Sequence, residues 1–258
     1  MHRLTAVRRL ALTGAIVIAM IAAGMVGAHF YLVPPFVGFS MFILALLLSL
    51  LGLVVGIIAI YLTRTPQRAA GRNRALVGTV LCALILAPVL VKVFSNHNPL
   101  INDITTDFDD SPEFVNAQKL QPEPGRVMKY DKKKYADAQL HGYGPLGPLK
   151  ERLSPADAFA RVTEVAKASP TWTITYSDPA TNTLEAVATS KLWHFNDDVV
   201  IQIRPTPDGA SLIEMRSKSR DGTGDFGVNA RRIKRFFDRV AMARVGSDQS
   251  ASDQEEQP

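Results

Sequence analysis

Two groups of ionisable residues could do chemistry. Asp103, Asp107, Asp109 and Asp110 place four carboxylates within eight residues. Carboxylates at that density can bind a hard cation, or do acid–base work where two converge on one pocket. The spacing is not that of an EF-hand loop, because no glycine makes the turn and no glutamate closes it. Solvated Asp side chains capping turns are the simpler reading, and no metal is expected. The second group is Arg204, Arg216, Lys218 and Arg220, with Lys191 a further candidate. Alternation lines these residues up on one side of a strand pair. Such a face can bind an anionic ligand or an acidic protein surface. It can equally be a solvated face with cross-strand ion pairs such as Glu214 with Arg204. A third option is that Arg216 or Arg220 pairs with Asp103 or Asp107 and staples the acidic loop to the sheet.

Three further patterns carry less. The run from Gly222 to Gly227 matches G-x-G-x-x-G, but a dinucleotide site needs a βαβ unit and an acidic residue on a second parallel strand. Here the preceding strand belongs to an antiparallel hairpin, so the glycines read as a tight strand-to-helix corner and no cofactor is expected. Ser217 and Ser219 lack a G-x-S-x-G setting or an evident base. The five histidines are scattered, and no His/Cys/carboxylate group has zinc-ligand spacing. No catalytic residue is assigned, and a non-enzymatic role is favoured.

The elements that position these residues follow from hydropathy and charge. Met1–Ser95 holds eight Lys/Arg and no Asp or Glu, whereas the remainder holds 21 and 24. The basic balance therefore belongs to the N-terminal part, which argues against a nucleic-acid protein. Leu10–Thr63 has no Asp, Glu, Lys or Arg, which is room for two spans of roughly 20 residues. Pro34-Pro35 divides it. The expected membrane domain is 1–95, with spans near 10–32, 36–62 and 75–94. Gly52 and Gly56 form a small-residue face able to pack another helix. Arginines before the first span and in the 63–74 loop place both on the cytoplasmic side. The chain after Phe94 then lies outside, in the periplasm of a Gram-negative cell.

Residues 96–153 mix Pro, Gly, Lys and Asp without a period and read as an irregular tether carrying the acidic loop. Asp131–Lys134 reads as a solvated run. Ser154-Pro155-Ala156-Asp157 opens a helix. Four strands follow, near 172–177, 183–193, 198–205 and 210–220, with Pro207-Asp208-Gly209 as a hairpin turn. Ile233, Phe236, Phe237 and Val240 give the last helix, 229–243, one apolar stripe. The expected fold is α+β: three transmembrane helices, then a two-layer domain at 154–245 with a four-stranded antiparallel sheet and two helices on one face. Residues 246–258 read as a disordered tail.

Ile101–Phe114 (INDITTDFDDSPEF), the Asp197–Pro205 strand and Arg216–Ile233 (RSKSRDGTGDFGVNARRI) resemble the bacterial and plastid family catalogued as domain of unknown function 1499. The resemblance covers roughly Pro99 to Val240. Gly142–Leu149 departs from the family's tyrosine-proline-acidic pattern. The family implies no activity, cofactor or catalytic residue. The expected function is a multi-pass inner-membrane protein whose outer domain binds an anionic envelope ligand or a protein partner. The alternatives are an envelope hydrolase or transferase using the acidic-loop carboxylates, and a structural subunit of a membrane complex. The lipid bilayer is the one firm partner, and homo-oligomerisation is left open.

Overall fold

Pro34 caps and Pro35 opens the second apolar helix, because proline at the first helical position lacks only an N–H that would be unpaired anyway. The computed structural model describes residues 17–65, 71–120 and 127–255. The chain divides into two compact units, Met1–His97 with Lys191–His194, and Asn98–Ser190 with Phe195–Pro258.

The first unit holds α1 (Val17–His29), α2 (Pro35–Leu62) and α3 (Arg72–Phe94). α2 and α3, at 28 and 23 residues, are long and apolar enough to cross a membrane. Their large apolar side chains, Leu47, Leu51, Ile57 and Leu84 among them, are exposed instead of packed in a core. Three spans were expected; two helices among the described residues meet the length. The expected first span is represented by α1, which as described is too short, and residues 10–16 lie outside the described residues. Gly52 and Gly56 pack within the chain. A Cβ on Gly52 would stand 2.8 Å from Cys82 Sγ, and one on Gly56 would collide with Thr79, both on α3. The glycines therefore let α2 and α3 approach closely.

The second unit runs β1 (Asp103–Thr105), α4 (Ala117–Leu120), α5 (Lys132–Tyr143), β2 (Leu149–Glu151), α6 (Pro155–Lys167), β3 (Trp172–Asp178), β4 (Thr183–Thr189), β5 (Asn196–Pro205), β6 (Ser211–Ser219) and α7 (Val228–Glu255). All strand pairs are antiparallel, in the order β1-β6-β5-β4-β3, with β2 also paired to β6. The sheet has six strands, where four were expected. The added strands, β1 and β2, have three residues each and lie with α5 in the segment 96–153. Three residues are too few to show an alternating pattern. β4 stops at Thr189, so Lys191 lies in the turn before β5 and not on a strand. The backbone of α7 continues to Glu255, past the expected end at 243, and 256–258 lie outside the described residues.

α6 begins as its sequence dictates, with Ser154 Oγ accepting the Asp157 N–H and Pro155 in the first turn. Phe159, Val162 and Val165 of α6, and Ile233, Phe236 and Val240 of α7, pack with Leu184, Val199, Ile201, Ile213 and Met215 of the sheet. Burying each such side chain stabilises by roughly 1.5–3 kcal/mol. Trp172 stacks on Phe236 at 4.9 Å between centroids.

The opposite sheet face is covered too, which corrects the two-layer expectation. Phe114, Ala117 and Met128 pack there on Val200. Glu185 of β4 holds this cover: its buried carboxylate accepts N–H bonds from Val115, Asn116 at 3.0 Å and Ala117 at 2.9 Å. Asn116 Nδ2 also donates to Thr175 O at 2.8 Å.

α5 closes the outer edge of β1. Thr105 N donates to Gln139 Oε1 at 3.1 Å, and Gln139 Nε2 donates to Thr105 O at 2.6 Å. The side-chain amide stands in for a further strand and blunts an edge that would otherwise offer free backbone groups. Gln139→Leu leaves a buried N–H and C=O unpaired, at about 1–3 kcal/mol each. The expected outcome is a lowered melting temperature for the full chain in detergent and faster hydrogen exchange at Thr105. Unchanged melting and exchange would contradict the edge-capping role.

Candidate functional site

β6 presents its residues alternately to the two faces. Ile213 and Met215 join the helix-covered core, and Glu214, Arg216, Lys218 and Arg220 point to the other side. β1 lies beside β6 with Asp103 opposite Lys218 and Thr105 opposite Arg216. That register brings Asp103 between two cations. Arg216 Nε donates to Asp103 Oδ1 and Nη2 to Oδ2, both at 2.8 Å, a two-pronged guanidinium–carboxylate pair. Lys218 Nζ donates to Asp103 Oδ2 at 2.9 Å. Asp103 and Arg216 are 0% exposed.

Such burial is costly unless every polar atom is matched. Arg216 is matched further by Met128 O at 2.7 Å, and its guanidinium lies over the Phe114 and Tyr130 rings at 5.0 and 5.4 Å. Burial, and next the Asp103 charge, raises the Tyr130 phenol above its ordinary value, so it stays protonated.

The other expected site residues are also engaged. Arg220 donates to Asp198 Oδ1 through Nε at 3.1 Å and Nη2 at 2.8 Å. Arg204 Nε donates to Glu214 Oε2 at 2.8 Å, and its Nη1 pairs with Asp110. Burial pushes the Glu214 carboxyl up, with Arg204 opposing. Asp107 Oδ1 accepts the N–H groups of Asp109 at 2.7 Å and Asp110 at 2.9 Å, an Asp-capped turn. Asp109 pairs with Lys132. The four acidic-loop carboxylates thus go to separate structural partners. Among the described residues no three His, Cys, Asp or Glu side chains gather to hold a metal ion. The basic face is not the open surface that alternation implied: Arg216 is buried under the segment containing Phe114 and Met128, and Lys218 lies between Asp103 and the Tyr135 ring.

The serines and glycines serve the join between β6 and α7. Ser217 Oγ donates to Asn229 Oδ1 at 2.7 Å and accepts from Arg232 Nη1 at 2.8 Å. Asn229 Nδ2 donates to Ser219 Oγ at 2.9 Å. Gly222 and Gly227 have φ of +77°, the left-handed region that favours glycine. Asp225 accepts from Gly227 N at 2.8 Å and Asn229 N at 2.7 Å. The start of α7 is thereby capped by the chain's own carboxylate, where a dinucleotide motif would leave room for a phosphate.

What remains accessible is a cleft of about 270 Å³ lined by Lys129, Lys134, Lys218 and Arg220 against one carboxylate, Asp131, with Asn102, Tyr135, Ser219 and Val127 completing it. Asp131 caps α5, accepting the Lys134 N–H at 3.2 Å. Lys134 Nζ lies 4.8 Å from the Tyr135 ring centroid, and Tyr135 Oη donates to Asn102 Oδ1 at 3.3 Å. The neighbouring Tyr135 raises the Lys134 amine above its ordinary value, which keeps it charged. Among the described residues neither Lys129 nor Lys134 has a carboxylate within ion-pair distance, unlike Lys218 and Arg220. Lys129, Lys134 and Tyr135 escaped the sequence reading because Asp131–Lys134 reads as a solvated run. The available signal was Asp131 as a helix cap with Tyr135 and Gln139 one turn apart.

The model of the family described as "Protein of unknown function (DUF1499)" matches residues 103–240. The chain belongs to that family. The match begins at the first residue of β1 and ends inside α7, so apart from Lys191–His194 it lies in the second unit, and it leaves α1, α2 and α3 outside. No curated protein matches the chain.

Asp103→Ala leaves Arg216 and Lys218 buried beside no carboxylate, and a loss of about 3–5 kcal/mol is expected. Asp103→Ala with Arg216→Met removes both sides of the main pair and recovers part of that loss. Denaturant unfolding of the full chain in detergent checks this, and equal stability of the single variant and the parent would contradict it.

Proposed function

We propose that this is a membrane-anchored envelope protein whose folded unit binds an anionic ligand, or an acidic patch on a protein partner, in the lysine-lined cleft. The observation that carries this reading is the pair Lys129 and Lys134, which among the described residues have no carboxylate partner and stand beside Lys218 and Arg220 at a concave site. A solvated surface spreads such charges and pairs them; a cleft with low-dielectric walls focuses their field on an incoming anion. Arg204 and Arg216 have a structural role in this reading. Lys218 and Arg220 form the inner wall, held in place by Asp103 and Asp198.

In the same proposal the anchor is a multi-pass one in the inner membrane, with the N-terminus cytoplasmic and the folded unit periplasmic. Support comes from the two long apolar helices, from the uncharged run 10–32, which supplies the third crossing this topology needs, and from the arginines at 3, 8, 9, 64, 68, 72 and 74, read by the positive-inside rule.

Two measurements check these statements. Native mass spectrometry of the full chain, extracted from its own membrane, is expected to show a co-purifying anionic molecule or acidic protein that is lost in Lys129→Glu/Lys134→Glu. An unliganded parent protein would sink the binding claim. For orientation, a Cys82→Ser chain carrying Thr181→Cys in the exposed β3–β4 turn is expected to react with a membrane-impermeant maleimide in intact spheroplasts. Reaction only after lysis would place the folded unit in the cytoplasm.

A further inference from the structure

The chemistry of the cleft narrows the ligand. Its cations come from three places: the segment before α5 (Lys129), the first turn of α5 (Lys134), and the end of β6 with the residue just after it (Lys218, Arg220). Three amines and one guanidinium converging from several directions suit a tetrahedral oxyanion with several equivalent oxygens. A planar carboxylate offers only two oxygens, both in one plane, so it meets fewer of the donors that arrive from several directions. Volume bounds the ligand further. At about 270 Å³ the cleft falls at or below the roughly 300–1,000 Å³ of sites that enclose drug-sized molecules. It takes a phosphate and a short polar stem. Asn102 and Ser219 make part of the wall polar, and Tyr135 and Val127 give it an apolar side.

Helix α5 supplies a second, independent argument. Its first turn carries Lys132, Lys133 and Lys134 and no acidic residue. Positive side chains at a helix N-terminus oppose the helix dipole. Lys132 is paired with Asp109 and the Asp131 carboxylate caps the helix beside Lys134, so two carboxylates stand against three lysines and the first turn keeps a net positive charge. An anion at the Lys134 side of the cleft would offset that repulsion.

We infer that the cleft is a phosphate-ester site, taking either a phospholipid headgroup or a soluble phosphate ester; this rests on the anion-binding reading above. The test is calorimetry on the full chain in neutral detergent and phosphate-free buffer. The probes are glycerol 3-phosphate and, as a carboxylate anion, citrate. Glycerol 3-phosphate is expected to bind and citrate not to. Lys129→Ala/Lys134→Ala is expected to weaken binding by roughly tenfold or more, about 1.4 kcal/mol, with an unchanged melting temperature because both side chains are exposed. Binding of citrate without glycerol 3-phosphate would overturn the phosphate assignment and leave the anion reading standing. Binding of neither would overturn both. Repeating the titration in phosphatidylcholine nanodiscs with and without phosphatidic acid separates the sources. Competition by phosphatidic acid identifies a lipid headgroup, and an unaltered affinity identifies a soluble ester.

Discussion

The buried pair of Asp103 with Arg216, joined by Lys218, is the constraint on which the second unit depends. A three-residue strand has little pairing energy of its own, and β1 contributes one large apolar side chain, Ile104, to the main core. Its place beside β6 is fixed by a fully buried carboxylate that must be matched by two cations. Because residues 103 and 216–218 are far apart in sequence, their pairing also sets the path of the chain between them. The segment after β1 is drawn across the second sheet face, where Phe114 and Met128 O close over Arg216.

The same constraint builds the cleft. Lys218 bonds Asp103 with its amine and also lines the accessible wall. Arg220, two residues on, is steadied by Asp198 on β5, which lies opposite Lys218 in the strand register. α5 comes to the β1 edge through Gln139 and carries Lys134 with it. The cationic cleft is thus assembled from three elements that meet because of one buried ion pair. The residues most exposed to a ligand, Lys129 and Lys134, are the ones with least structural duty, whereas Arg204 and Arg216 have their hydrogen-bonding capacity committed inside the protein.

How much of this was legible depended on the range of the signal. α6 could be read because Ser154, Pro155 and Asp157 mark its start locally, and its apolar stripe repeats at helical spacing. β3 to β6 could be read from alternation and from the Pro207–Gly209 turn. The family was legible from the acidic motif and the stretch from Arg216 to Ile233. β1 and β2 were not, since three residues carry no period and their partners lie on a distant strand. The option that Arg216 staples Asp103 was visible, but composition cannot choose it over an open face; only the register that sets Asp103 opposite Lys218 does. Lys134 was hidden for a related reason, because a lysine in a basic run looks solvated until Tyr135 and Asn102 are known to stand beside it. Gly52 and Gly56 announced a close helix contact correctly in kind, while the contacting helix, α3 of the same chain, required the fold.

The most direct test of this account is hydrogen exchange at the Arg216 guanidinium, followed by nitrogen-15 NMR of the full chain in micelles. An arginine held in a two-pronged pair at zero exposure should give a resolved Nε–H signal that exchanges orders of magnitude more slowly than those of exposed arginines such as Arg231. It should slow in step with the Thr105 amide, since one opening event would free both. An Arg216 Nε–H that exchanges as fast as the exposed ones would mean that the buried ion pair does not hold β1 to the sheet.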